Sequence, residues 1–107
     1  MWLFTLNSFV SVVRHRDEPE KLLVRARRRE DLLELLGRKW AESIFEDDFA
    51  DYRFRVIMLE TDFQDIIFNY IHNKLTYDNF KAAQRSNGKF LDFLHKIWGL
   101  GLRLQGK

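Results

Sequence analysis

The chain predicts an α+β fold: a three-stranded antiparallel sheet, four-stranded if its first strand breaks in two, with helices packed on one face in the order β-β-α-β-α-α. Three observations point there. Residues 2–15, 21–27 and 52–59 are rich in strand formers with alternating side chains. Apolar residues recur at helical spacing from Glu30, from Thr61 and again towards the C-terminus. The connections between these runs are short and polar, as antiparallel neighbours require.

Taken in order, residues 2–15 read as a bent strand or two short pieces, because the turn-capable pair Asn7-Ser8 interrupts Phe4, Thr5, Phe9, Val10, Val12 and Val13. The charged, proline-bearing link Arg16–Glu20 leads into a second strand, Lys21 to about Arg27, and the two form an antiparallel hairpin. Glu30 and Asp31 suit the positive end of a helix carrying Leu32, Leu33, Leu35 and Leu36, with Gly37 as a stop or the helix continuing towards Trp40 and Ile44. An acidic loop, residues 46–51, precedes a third strand from Tyr52 to about Leu59.

Thr61 and Gln64 have capping-box spacing, and Phe63, Ile66, Ile67, Tyr70 and Ile71 share one face of a helix running to about Leu75. A further helical stretch starts at Thr76-Tyr77-Asp78. It places Lys74, Lys81, Arg85, Lys89, Lys96 and Arg103 in one sector, a phase that persists through Ser86-Asn87-Gly88. One long helix, or two nearly collinear ones broken at Gly88, is therefore expected.

A chain of 107 residues with 46% hydrophobic and 15% aromatic content is one ordered domain, residues 1–107, with a single core. The absence of cysteine excludes disulfides and thiolate chemistry. No secretory leader or membrane span is read, so a soluble cytoplasmic protein is expected. The net charge of +2 hides an acidic middle between basic ends: residues 1–39 carry +3, residues 40–65 carry −6 and residues 66–107 carry +5. Internal pairing explains this at least as well as a nucleic-acid partner.

The segments Trp2-Leu3-Phe4-Thr5, Val24-Arg25-Ala26-Arg27 with Glu30-Asp31-Leu32, Asp51-Tyr52-Arg53-Phe54-Arg55 and Tyr77-Asp78-Asn79-Phe80-Lys81 together resemble a family of small uncharacterised single-domain bacterial proteins with an N-terminal W-L-F-T motif. Where that family has Gly-Phe-Phe after the first short strand, this chain has Ser8-Phe9-Val10. The resemblance implies a single domain and carries over no activity and no catalytic residues.

The repeated phrases around Arg25, Arg27, Arg53 and Arg55 are the first candidate surface, since alternate strand residues share a face and Arg presents a planar donor fork to phosphate. Lys81, Arg85 and Lys89 would add phosphate contacts. RNA-reading sheets use exposed aromatics, whereas Tyr52 and Phe54 here alternate onto the opposite, buried face, so a solvated face paired with the acidic loop is the blander expectation. The second candidate surface is the broad apolar arc of the last helix, Phe90, Leu94, Trp98 and Leu102, suited to a protein partner or a homodimer.

Glu46, Asp47, Asp48 and Asp51 lack calcium-loop spacing, and His15, His72 and His95 are isolated, so neither a metal nor another cofactor is expected. No nucleophile elbow, phosphate loop or dinucleotide fingerprint occurs. The leading expectation is a non-enzymatic interaction module acting through its C-terminal helix; the alternative is nucleic-acid binding on the arginine face.

Overall fold

The computed structural model describes residues 1–84 and 88–106. Five strands, β1 (Trp2–Phe4), β2 (Phe9–Arg14), β3 (Lys21–Ala26), β4 (Phe45–Glu46) and β5 (Phe54–Leu59), form one antiparallel sheet in the order β1-β2-β3-β5-β4. This corrects the three- or four-stranded expectation and its element order. The N-terminal run does break in two: the Thr5 amide donates to the Ser8 carbonyl at 2.8 Å, and the turn sets Phe4 opposite Phe9. The extra strand β4 is two residues long, too short to leave any periodicity in the sequence.

Alternation then sorts the strands into two faces. Val10, Val12, Val24, Ala26, Val56 and Met58 point to one side, where they pack with Leu32, Leu35 and Leu36 of helix α1 (Arg29–Leu36) and Phe63 of helix α2 (Glu60–Lys74). Each such leucine contributes roughly 2 kcal/mol by leaving water. Gly37, at φ 96°, turns the chain out of α1 in a conformation that L side chains rarely adopt. The following 3-10 turn, Arg38–Ser43, brings Trp40 to the core margin, with Ile44 just beyond it.

Helix α2 follows β5 without a loop, starting at Glu60 with Leu59 at the capping position and no side-chain cap, so Thr61 does not cap it. Instead, Glu60 pairs with Arg14 of β2 and accepts a hydrogen bond from Gln64 at 2.9 Å, which ties the helix start to the sheet. Strand β5 begins at Phe54, so Tyr52 lies outside the strand that the sequence assigns it to.

The C-terminal stretch contains a one-turn helix α3 (Phe80–Ala83) and a longer helix α4 (Gly88–Gly101). Asn79 caps α3, its side-chain oxygen accepting the Ala82 amide at 2.9 Å, so this helix starts later than Thr76. Continuity through Ser86-Asn87-Gly88 falls on residues 85–87, outside the described residues. Phe93 of α4 packs on Phe4 and Phe9 at 6.2 and 5.9 Å, and those two rings project from the face opposite α1 and α2. The helices therefore do not all lie on one face. Among the described residues, no helix is long and apolar enough to cross a membrane.

Candidate nucleic-acid interface

Strand register builds the candidate site. Trp2 lies opposite Ser11, Ser11 opposite Arg25, Arg25 opposite Arg55, and Arg55 opposite Phe45. Paired residues of antiparallel strands project from the same face, so these five form a row across the whole sheet, on the side away from the α1/α2 core. At usual strand spacing the row is about 19 Å long. Its ends are exposed aromatics, Trp2 at 64% and Phe45 at 43%, and its centre is a pair of arginines.

The guanidiniums of this face are held by neutral oxygens. Arg25 donates to the Ser11 hydroxyl at 2.7 Å, Arg27 to the Asp51 carbonyl at 3.1 Å and Arg55 to the Tyr52 carbonyl at 3.0 Å. Among the described residues, none of the three is ion-paired. Arg25 and Arg27 also stand over the Tyr52 ring, 4.7 and 4.8 Å from its centroid. Stacking occupies the flat side of a guanidinium and leaves its in-plane N–H groups to donate, the arrangement that suits a phosphate oxygen. The Arg25 Nε is buried and has no hydrogen-bond partner among the described residues, an arrangement that costs stability.

Tyr52 is the residue whose placement differs most from expectation. The bend before β5 takes it out of the strand alternation, so it supports the arginines instead of the opposite core. Arg53 behaves differently from the other three: it pairs with Asp48 at 2.9 Å and Glu46 at 3.7 Å and stands over Phe54. The acidic loop is also engaged with its own backbone, Asp47 accepting the Phe49 amide and Asp51 the Tyr52 amide. Among the described residues, no three acidic or histidine side chains are placed to hold a metal ion.

The other candidate residues are distributed as follows. Lys81 sits 4.0 Å over the Trp98 ring, away from the row, and Lys89 lies beside Arg27 in a cleft at one end of the sheet. Arg85 is outside the described residues. Phe90 and Leu94 are buried within the chain, Leu102 is half-buried, and Trp98 is more than half exposed.

Two contributors have contacts that the sequence does not show, Asp31 being legible there only as a helix-start charge and Arg28 only as part of a basic run. Asp31, 3% exposed, accepts the Phe9 amide and pairs with Arg28, joining the first turn of α1 to β2. Burial raises its pKa above the ordinary carboxylate value, opposed by the hydrogen bond and charge of Arg28 and by the Phe9 amide. Arg28 in turn lies 4.6 Å over the Phe90 ring, which helps attach α4 to the sheet. Comparison with protein-family models, with curated proteins and with solved structures finds no match to this chain.

Proposed function

We propose that the open sheet face binds single-stranded nucleic acid. The observation that carries this reading is the row Trp2–Ser11–Arg25–Arg55–Phe45, in which two arginines with no carboxylate partner among the described residues lie between two exposed aromatic side chains. Arginine donates to backbone phosphates without regard to sequence, and Trp2 and Phe45 offer ring faces to unpaired bases. Arg27 extends the cationic track past the end of β3. A duplex hides its bases, so the aromatic ends give no advantage there.

The test is fluorescence anisotropy with a labelled oligouridine and a duplex of equal length. Trp2→Ala and Phe45→Ala each cost about 1–3 kcal/mol of single-strand binding, and neither changes duplex binding. Equal affinity for both ligands, unchanged by either substitution, removes the stacking role.

A second reading has the chain acting through α4 on a protein partner or a second copy of itself. It rests on exposed Trp98 and Leu100 at the end of that helix and exposed Leu104 in the 3-10 turn, Leu102–Gln105, that follows it. Light scattering of the eluted protein checks it: a dimer that Trp98→Glu converts to a folded monomer supports this reading, and a monomer at every concentration rejects the self-association.

A further inference from the structure

At the end of the sheet, the first turn of α4, the start of β2 and the residues that follow β3 flank an open cleft of about 380 Å³. Phe9, Phe90 and Phe93 form its apolar wall, and Arg27, Arg28, Lys89 and Asp31 supply its charged groups. The volume falls in the range of small-molecule sites, roughly 300–1,000 Å³. Polar groups converging on an aromatic wall are the pattern such sites share.

The charges decide the ligand class. Arg28 is spent on Asp31, with Glu30 also pairing at 3.4 Å on its exposed side. Arg27 donates only to a carbonyl, and Lys89 makes no ion pair among the described residues, so this pair presents a net positive charge of two to the cleft. A dianionic phosphomonoester matches that excess better than a singly charged carboxylate. Phe93, 37% exposed and set 5.9 Å from Phe9 and 6.0 Å from Phe90, offers a ring face for a planar group to stack on.

We infer that this cleft binds a nucleoside monophosphate, phosphate against Arg27 and Lys89 and base against Phe93. The same chemistry is presented by a free mononucleotide and by the phosphorylated end of a strand. Where the strand end is the source, the inference rests on the sheet-face reading, because Arg27 borders both surfaces.

The experiment is calorimetric titration of the full chain with adenosine 5′-monophosphate, adenosine and inorganic phosphate. It is repeated with Lys89→Glu and Phe93→Ala, chosen because both residues are exposed. The monophosphate should bind at least about ten-fold more tightly than either fragment, and Lys89→Glu should lose about ten-fold or more through the phosphate. An Arg25→Ala/Arg55→Ala variant should bind the monophosphate as the parent does. Monophosphate binding no tighter than adenosine, or insensitive to both cleft substitutions in folded protein, overturns the inference.

Oligonucleotides with 5′-phosphate and 5′-hydroxyl ends separate the sources. A preference for the phosphate that disappears in Lys89→Glu assigns the cleft to strand ends, and mononucleotide binding without that preference assigns it to free nucleotides. Oligonucleotide binding unaffected by Arg25→Ala/Arg55→Ala counts against the sheet face alone, while the mononucleotide titration still reports on the cleft.

Discussion

The two faces of the sheet are built from the same strands and differ in what one residue of alternation places on them. On one face Val10, Val12, Val24, Val56 and Met58 are buried under α1 and α2. On the other, Ser11, Arg25 and Arg55 occupy the centre and Trp2 and Phe45 the margins, with Tyr52 packed against Arg25 and Phe93 against Phe9. The first face supplies stability through removal of apolar surface from water. The second retains exposed rings and arginines that have no carboxylate partner among the described residues, which contribute little to folding and are suited to a ligand.

Substitutions that separate the faces test that division. The largest effect is expected from Val24→Asp, which places an unpaired carboxylate in the core and costs upwards of about 4 kcal/mol, enough to unfold a domain of this size. Leu32→Ala should cost about 3 kcal/mol. Arg25→Ala, one position along from Val24, should change stability by less than about 1 kcal/mol. Urea unfolding checks all three, and comparable losses at positions 24 and 25 break the distinction.

Asp31 sharpens it at the boundary between core and cleft. Asp31→Ala leaves the Phe9 amide without its acceptor and Arg28 with only its exposed partner Glu30 among the described carboxylates, for an expected loss of about 2 kcal/mol. Because burial raises the Asp31 pKa, the native chain holds that proton more tightly than the unfolded one. Its contribution is full below the unfolded value and is lost as pH rises through the folded value. The stability advantage of the parent over Asp31→Asn should therefore shrink across that acidic window, and urea midpoints that diverge with rising pH contradict the burial argument.

The smallest effect belongs to Arg53→Ala. Its guanidinium is already committed to Asp48 and Glu46 at an exposed site, so nucleic-acid affinity should change less than about two-fold. A loss equal to that of Arg55→Ala would place Arg53 in the binding track and dissolve the contrast between paired and unpaired arginines.

The strand alternation and the long helices are legible in the sequence because each rests on a period that several residues repeat, whereas the adjacency of β3 and β5 that brings Arg25 and Arg55 together is a tertiary pairing with no such period. Nor does the sequence carry the two-residue β4, and without β4 the aromatic at the far end of the row has no strand to place it. Alternation carried back from β5 through the bend puts Tyr52 on the wrong face, and Trp2 on its own gives no sign of its partner Ser11. The split among the four arginines depends on which side chains reach a carboxylate, a tertiary distance that adjacent residue types do not encode.

The measurement that tests the account most directly is the salt dependence of oligouridine binding for the parent and for Arg25→Ala/Arg55→Ala. Each lost single-strand phosphate contact lowers the slope of log affinity against log salt by about 0.7, so the double variant should lie about 1.4 shallower, with affinity reduced at low salt and the fold intact. Parallel lines of equal affinity would contradict the assignment of this face to nucleic acid.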